Sequence, residues 1–272
     1  MTAITGTREQ APDGLAPSSE PFGVFTDIEK RFALGDGSYL TAIEKLSLTL
    51  EKGQLISLLG PSGCGKTTFL RIVAGLEQAS MGEVRIEGKS ISGPHPDFAF
   101  VFQQPNLMPW RTVLENILFP LEIRREKTPK GVDRARELVE LVGLAGFEDR
   151  YPSELSGGMQ QRVALCRALV HDAKLLLMDE PFGALDELKR MEMHDLLLSI
   201  RARTNVSVLF VTHSISEAIY LSDMVAVFSR RPATIRDRIE ISLPYPRQGE
   251  MRYGADFTRY EHEASRLLGI VR

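Results

Sequence analysis

Apolar residues in this chain recur at two spacings, one typical of strands and one of helices. Leu46, Leu48 and Leu50 alternate with polar residues, and this period of two predicts a strand over 39–50 with one buried face. Between residues 112 and about 145 the apolar positions instead recur every three or four residues, which predicts helix. Further strands are predicted at 22–32, 55–59, 82–88, 98–102, 173–178, 206–212, 224–228 and 236–243. Shorter helices are predicted at 69–74, from 156 onward, at 216–221 and at about 257–268.

The composition is that of an ordinary globular protein. The 272 residues are 43% apolar and 25% charged. No run approaches the roughly 18 apolar residues that a transmembrane helix needs. A net charge of −3 argues against a nucleic-acid binder, because such proteins usually carry a basic surplus. Cys64 and Cys166 lie in unrelated contexts, which excludes a disulfide framework or a cysteine-based zinc site.

One nine-residue stretch has the pattern of a phosphate-binding loop. It lies between a predicted buried strand and a predicted helix, so strand, glycine-rich turn and helix start follow in order. Its glycines allow backbone N–H groups to point inward and let a phosphate approach without meeting a Cβ. The nine residues are Gly60, Pro61, Ser62, Gly63, Cys64, Gly65, Lys66, Thr67 and Thr68. We predict that Lys66 reaches the β- and γ-phosphates of a nucleotide and that the Thr67 hydroxyl ligates Mg²⁺.

Three polar residues each stand at the end of a predicted buried strand: Gln103, Asp179 and His213. Because ligands bind at the carboxyl ends of strands in open α/β sheets, we expect all three to face one crevice. An acid at such a position beside a phosphate loop predicts that Asp179 holds the metal, directly or through water. Glu180 follows at once and would polarise the attacking water as a general base.

Three features allow more than one interpretation from spacing alone. Phe32 could stack on an adenine ring or pack in the core. Ser156, followed by two glycines at a helix start, could simply cap the helix or help to bind a second phosphate. Leu107, Met108 and Trp110 lie in a proline-containing loop that could be packed or could face a partner.

The order of these motifs resembles the nucleotide-binding subunit of ABC transporters. The resemblance covers about residues 22–245, and its most specific element is the Leu-Ser-Gly-Gly-Met-Gln segment at 155–160, which is similar to the ABC signature. It implies an α/β fold: a P-loop NTPase core of mostly parallel sheet, an N-terminal antiparallel β subdomain, and an inserted α-helical signature subdomain at about 104–168. The ABC ATPase domain would span 21–245, after a disordered tail over 1–20 and before a C-terminal tail over 246–272 with a short helix.

The resemblance also implies a role for each matching residue in binding and hydrolysing ATP with Mg²⁺. Phe32 would stack on adenine, with Tyr39 as a competitor. Gln103 would contact Mg²⁺ and the attacking water, Glu180 would be the catalytic glutamate, and His213 would contact the γ-phosphate. In this family the signature binds the nucleotide held by the other protomer, and a loop after the catalytic glutamate communicates across the dimer. The residues matched to these two features are Ser156, Gly157, Gly158, Gln160 and Asp186.

A finer resemblance links residues 104–113 and 229–233 to the nitrate, sulfonate and taurine import group. It implies a homodimeric ATPase that drives separate permease chains, supplied by a solute-binding protein, as a peripheral subunit on the cytoplasmic face of the inner membrane. The groove for a permease helix would include the loop from 103 to 113, which gives Trp110 a partner-facing role. By charge pattern alone, four arginines near the second segment predict a solvated basic face. They are Arg230, Arg231, Arg236 and Arg238.

Two other classes of ABC ATPase compete with an importer subunit. The first is a soluble ATPase that acts as a scaffold or switch, for instance in iron–sulfur cluster assembly, but the Met-Pro-Trp loop at 108–110 favours transport. The second is a DNA-repair or chromosome ATPase. Such proteins insert a long coiled coil or a zinc module between phosphate loop and signature, and the sequence has neither there.

Overall fold

The computed structural model of the protein describes residues 20–271, so the predicted tail lies, except for Glu20, outside the described residues. The strands are β1 (Gly23–Ala33), β2 (Tyr39–Leu50), β3 (Leu55–Leu59), β4 (Met81–Ile86), β5 (Lys89–Ser90), β6 (Phe98–Val101), β7 (Leu175–Asp179), β8 (Ser207–Thr212), β9 (Met224–Phe228) and β10 (Ile235–Glu240). The α-helices are α1 (Lys66–Val73), α2 (Val113–Ile123), α3 (Pro129–Leu141), α4 (Gly157–Leu169), α5 (Glu187–Thr204), α6 (Ile215–Leu221) and α7 (Ala255–Leu268).

A six-stranded sheet forms the centre of the molecule, in the order β10-β9-β3-β8-β7-β6. Its strands pair in parallel except for β10, which runs antiparallel to β9. Every residue of β3, β8 and β9 is buried, as expected for a mostly parallel sheet that is covered on both faces. All the parallel strands therefore end at one edge of the sheet.

The two faces of this sheet are covered by different elements. One face packs against α1 and a four-stranded antiparallel sheet of order β2-β1-β4-β5. There Phe25 of β1 meets Phe69 of α1 edge-on, with ring centroids 5.4 Å apart. The other face packs against the helices α2 to α7. The predicted α/β architecture, with a mostly parallel sheet, an antiparallel β sheet and inserted helices, is confirmed.

One predicted helical region is divided, and one helix is not predicted. The region predicted to be helical from 112 to about 145 consists of two helices, because Thr128 caps a new helix by accepting a hydrogen bond from Gly131 N at 3.2 Å. Arg125, with φ +58°, stands in the turn between them. The 18-residue helix α5 is not predicted at all. Its buried positions, which include Met193 and Leu197, are few among charged residues, so the apolar pattern is weak.

The C-terminal region contains a helix close to the predicted bounds. Helix α7 has 14 residues and begins two residues before the predicted stretch at about 257–268. It packs on α6 and contributes Phe257 and Tyr260 to the core on that face of the sheet. None of the helices between residues 20 and 271 combines the length and the apolar character needed to cross a membrane.

Arg247 stabilises the end of α6 from within the structure. Its buried guanidinium donates to the carbonyl oxygens of Ile219, Tyr220 and Ser222 at 2.9, 2.6 and 2.6 Å. It also lies over the Tyr245 ring, 4.5 Å from the centroid. The last carbonyls of a helix lack partners inside the helix, so this one side chain satisfies groups that would otherwise be buried unpaired.

We expect Arg247→Met to lower the free energy of unfolding by about 3 kcal/mol, because buried carbonyl groups lose charged donors. Urea denaturation followed by circular dichroism measures this. Arg203→Met, at an exposed position in the last turn of α5, is the control and should change the free energy by less than about 0.5 kcal/mol. Equal effects in the two variants would contradict a capping role for Arg247.

Candidate functional site

The loop from β3 to α1 closes around the side chain of Lys66. This side chain is buried, and its ammonium donates to the carbonyl oxygens of Gly60 at 2.7 Å and Pro61 at 2.9 Å. Gly65 has φ +127°, and a Cβ there would lie 3.0 Å from the carbonyl oxygen of Ala42, so only glycine fits. The loop thus brings an ammonium group and the unpaired N–H groups of a helix start together, and both favour an anion.

The phosphate loop faces a cleft whose other walls come from the antiparallel sheet and from the end of β7. The lining residues are Phe32, Leu40, Ala42, Ser62, Gly63, Gly65, Lys66, Thr67, Thr68, Glu180 and Arg231. Phe32 is half-buried in the β1 wall, whereas Tyr39 is 69% exposed and is not among these residues. This placement favours Phe32 over Tyr39 as the ring beside a nucleotide base.

Asp179 connects the end of β7 to the phosphate loop. The Thr67 hydroxyl donates to Asp179 Oδ1 at 2.8 Å. Burial raises the pKa of Asp179 above its ordinary value; the hydrogen bond from Thr67 opposes this shift and the nearby charge of Glu180 adds to it. A carboxylate that is costly to ionise would be stabilised by a cation at this position.

The oxygen atoms of Thr67 and Asp179 suit Mg²⁺, which prefers hydroxyl, carboxylate, water and phosphate oxygens. Within residues 20–271, no group of three or more His, Cys, Asp or Glu side chains could hold a metal ion by itself. Mg²⁺ usually takes only one or two carboxylates from the protein and completes its shell with water and substrate phosphates. These two residues therefore fit a magnesium ion that binds together with a nucleotide.

Glu180 lies between His213 and Gln103. Its Oε2 is 3.0 Å from His213 Nδ1. The Gln103 amide and the Glu180 carboxylate both lie next to Gly183. A Cβ added at Gly183 would be 3.5 Å from Gln103 Nε2 and 4.0 Å from Glu180 Oε2. Glu180 itself has φ +46°, a conformation that is costly outside glycine, and its N–H donates to Val211 O at 3.1 Å. The structure thus brings the three strand-end side chains to one edge of the sheet.

Four predicted signature residues stand at the start of α4: Ser156, Gly157, Gly158 and Gln160. Ser156 caps the helix, since its hydroxyl accepts from Met159 N at 3.3 Å. The Gln160 amide donates to the carbonyls of Pro152 and Leu155 at 3.0 and 3.3 Å and so fixes the preceding turn. None of the four lines the phosphate cleft within the described part of the chain. The structure therefore does not bring the signature to the phosphate loop of its own chain.

Asp186 caps α5 next to the signature. Its carboxylate accepts from Lys189 N at 3.0 Å and from Lys189 Nζ at 2.6 Å, and the side-chain bond, followed by the backbone bond, lowers the pKa of Asp186. A Cβ added at Gly158 would lie 3.3 Å from Lys189 Cδ. The loop that holds Asp186 is therefore in contact with the signature through Lys189.

Comparisons with known proteins decide the family. The family model described as ABC transporter matches residues 43–183. An uncharacterized ABC transporter ATP-binding protein from Methanocaldococcus jannaschii is 44% identical over 233 residues, which are 86% of each chain. An aliphatic sulfonates import ATP-binding protein from Bacillus cereus is 45% identical over 81% of this chain and 86% of that protein. Its counterpart from Pseudomonas syringae pv. syringae is 48% identical over 76% and 82%. The chain belongs to the ABC transporter family.

Two solved structures extend this to three dimensions. Both are dimeric ATP-binding cassettes with a TM-score of 0.71. Each match covers 82% of this chain and 100% of the solved chain. One is a post-hydrolysis state bound to ADP and Pi and is 28% identical; the other is a bacterial ABC transporter cassette and is 29% identical. The predictions of an ABC ATP-binding subunit and of a P-loop NTPase fold are confirmed. The protein is an ATPase of the kind that is coupled to transmembrane transport.

Two polar side chains of this ABC subunit hold the loop after β6, and neither is predicted from the sequence. Asn116 is wholly buried; it accepts from Met108 N at 2.8 Å and donates back to Met108 O at 3.1 Å. Arg167 donates to the carbonyls of Pro105 and Asn106 at 2.7 and 2.8 Å. A polar residue on the apolar face of α2 is the only local signal that points to the first of these contacts.

A buried polar network lies behind His213 and is also not predicted. His194 of α5 is buried, with Nε2 2.8 Å from Glu217 Oε1 and Nδ1 2.9 Å from a guanidinium nitrogen of Arg252. Glu217 also accepts a hydrogen bond from the hydroxyl of Thr212, the residue just before His213. The segment before α7 is thereby connected to the end of β8.

The four arginines near the end of the sheet are exposed, as predicted, but they are more than a solvated face. Three of them donate to backbone carbonyls: Arg231 to Gly63 at 2.6 Å, Arg236 to Leu267 at 2.8 Å and Arg238 to Ser47 at 2.9 Å. Arg231 is also one of the residues that line the cleft.

We expect Asp179→Asn to raise the thermal unfolding midpoint of the nucleotide-free, metal-free protein at pH 7 by about 2 °C or more. The folded-state pKa of Asp179 is raised, so the ionised carboxylate costs stability above that pKa. The difference from the unsubstituted protein should shrink as the pH falls through the raised pKa toward the ordinary value of 3.8. Scanning calorimetry between pH 4 and about pH 8 measures this.

Asp186→Asn is the matched control, because the pKa of Asp186 is lowered instead. Its ionised form adds stability at neutral pH, and this contribution is lost as the pH falls through the lowered pKa, so the variant should be less stable than the parent at pH 7. A lower midpoint for Asp179→Asn than for the parent at pH 7 would contradict the burial argument.

Proposed function

We propose that this chain is the ATPase subunit of an importer for a small solute of the sulfonate, nitrate or taurine type. Relatives named as aliphatic sulfonates import ATP-binding proteins, 42–48% identical to this chain, are the observation that supports an importer most strongly. Two copies, peripheral on the cytoplasmic face of the inner membrane, would bind two ATP molecules and drive separate permease chains that span the membrane. A solute-binding protein would deliver the solute to those chains.

The phosphate chain of ATP would lie in the loop 60–68. There the Lys66 ammonium would exchange its two carbonyl partners for β- and γ-phosphate oxygens, and Phe32 would stack on the adenine ring. Thr67, Asp179 and Gln103 would hold Mg²⁺, which when bound supplies positive charge to the phosphate oxygens. The convergence of Thr67 and Asp179 beside the loop supports this assignment.

Hydrolysis would take place at the end of β7. Glu180 would orient a water molecule and accept its proton as the water oxygen attacks the γ-phosphorus and the bond to ADP breaks. His213, whose Nδ1 lies 3.0 Å from Glu180, would hold this carboxylate and contact the γ-phosphate. Gln103 would contact the same water. Catalysis would rest on positioning and on charge stabilisation by Lys66.

The signature would act on the nucleotide bound by the second copy. Ser156, Gly157 and Gly158 begin α4, where the first N–H groups and the helix dipole favour a phosphate. They do not line the cleft of their own chain, so a phosphate would have to come from another chain. Gln160 would hold the signature turn in place, and Asp186 would communicate across the dimer. The two similar cassette structures are dimers, which supports this arrangement.

The loop from 103 to 113 would form the permease groove. Trp110 is 72% exposed, although Asn116 fixes the backbone of its loop from below. The end of this loop is joined to the segment before the signature, because Val113 N donates to Arg150 O at 2.8 Å, and the next residue of that segment, Tyr151, is 46% exposed. Large exposed aromatic residues on a rigid loop are typical of a protein-binding surface.

We expect Glu180→Gln to lower the ATPase kcat at least about a hundredfold while ATP still binds, because the amide cannot accept the proton. The same variant should form a dimer in the presence of ATP and Mg²⁺. Phosphate release and light scattering after size exclusion measure the two effects. Glu240→Gln, an exposed acid on β10, is the control and should behave like the parent. Turnover at the parent rate would remove Glu180 from the role of base.

We expect Trp110→Ala to leave the ATPase rate of the isolated subunit unchanged but to lower solute uptake by cells about tenfold. The reason is that an aromatic side chain that becomes buried when the partner binds contributes strongly to a protein interface. Uptake of labelled taurine, alkanesulfonate or nitrate measures this. The control is Tyr253→Ala, at a position that is 84% exposed and far along the chain. Unaltered uptake would contradict the groove role of Trp110. Co-purification of the parent with a soluble partner in place of a membrane protein would contradict the importer assignment itself.

A further inference from the structure

The loop that joins β9 to β10, residues 229–234, packs between β2 and the phosphate loop. Ala233 is wholly buried there; its N–H donates to Ala42 O at 2.9 Å and its carbonyl accepts from Glu44 N at 3.0 Å. A Cβ added at Gly65 would lie 3.0 Å from Ala233 Cβ. The 229–234 loop therefore contacts two walls of the nucleotide cleft at once.

Ser229 closes this loop from within. Its N–H donates to Thr234 O at 2.9 Å, and its hydroxyl accepts from Thr234 N at 2.9 Å. The hydroxyl also lies 3.0 Å from the carbonyl oxygen of Pro232. These contacts fix both ends of the loop, so the residues at its tip are presented from a rigid base.

Arg231 is the residue of this loop that reaches the cleft. Its Nη2 donates to Gly63 O at 2.6 Å. The N–H of the same peptide unit, that of Cys64, donates to Pro61 O at 3.4 Å within the phosphate loop. Because the C=O and N–H of a trans peptide lie in one plane and point in opposite directions, the bond from Arg231 to Gly63 O fixes the orientation of this peptide unit, and with it the direction of the Cys64 N–H.

We propose that Arg231 is a further nucleotide-binding residue, one that orients the phosphate loop through Gly63 and adds a second cation beside Lys66 for the phosphate chain. This inference rests on the proposed nucleotide site. A guanidinium has five N–H donors in a planar fork, and Gly63 O uses one of them, so others remain for an anion in the cleft. No other arginine is among the residues that line this cleft within the described part of the chain.

Two substitutions separate the charge of Arg231 from its hydrogen bond. Arg231→Gln retains a donor for Gly63 O but has no charge, whereas Arg231→Lys retains the charge without the fork. The matched control is Arg238→Gln, since Arg238 is also exposed and also donates to a backbone carbonyl, that of Ser47 at 2.9 Å, but does not line the cleft. All three are compared with the parent as full-length protein.

The measurement is the displacement of a fluorescent ATP analogue by ATP, ADP and AMP. We expect Arg231→Gln to raise the Kd of ATP and ADP about tenfold and Arg231→Lys to raise it less, because a charge-assisted contact is lost or weakened. The Kd of AMP should not change, since AMP lacks the β- and γ-phosphates. The difference in the Kd of ATP between Arg231→Gln and the parent should become smaller as salt is added, because salt screens the lost charge. Arg238→Gln should bind all three nucleotides like the parent.

An unchanged Kd of ATP in Arg231→Gln would overturn the proposal. An equal loss of affinity for ATP and for AMP would also overturn it, and so would a difference in the Kd of ATP that does not shrink as salt is added. Either result would indicate a purely structural role for Arg231. Lys66→Ala separates this outcome from failure of the nucleotide site itself. If Lys66→Ala loses ATP binding while Arg231→Gln does not, only the role of Arg231 fails; if both bind ATP normally, the site assignment fails as well.

Discussion

The site depends on one constraint, the common direction of the parallel strands. In the register of the sheet, Leu59 at the end of β3 pairs with Thr212 of β8, and Asp179 of β7 pairs with Val211. The three strands therefore end within about one residue of each other, a few ångströms along the sheet. A phosphate loop, an acid pair and a histidine that are far apart in sequence are brought together because each one simply follows its strand.

The polar groups of the site form hydrogen bonds with one another. The Lys66 ammonium is paired with loop carbonyls, the Thr67 hydroxyl with Asp179, and His213 with Glu180. In the proposed site, a phosphate, a metal ion or a water would replace these partners. Binding would therefore exchange internal hydrogen bonds for bonds to the ligand, and few buried polar groups would be left without a partner. Asp179 is the exception among these groups, because its hydrogen bond from Thr67 does not offset the effect of burial. The pKa of Asp179 is therefore raised.

Local sequence patterns are sufficient to predict those features whose residues are contiguous in the chain. The sequence predicts the phosphate loop because strand, glycines and helix start are contiguous, and the bounds of β2 agree with its alternating leucines. Helix α5 could not be predicted in the same way, because its few apolar positions stand among charges. Contacts such as Arg231 with Gly63 join residues 168 positions apart, and no local periodicity encodes them. Asn116 gave a weak signal as a polar residue on an apolar helix face.

The network from Arg252 through His194 and Glu217 to Thr212 has a consequence for how such subunits evolve. Because Nδ1 of His194 faces a guanidinium and Nε2 faces a carboxylate, the imidazole matches its two neighbours only in one order of donor and acceptor. Positions 194, 217 and 252 should therefore be inherited as a set and vary together among relatives. A chimaera could join residues 194 and 217 of this chain to the C-terminal segment of another family member. Its residue at position 252 would then not match the other two, and the mismatch would lie in the network that ends at Thr212, the residue before His213.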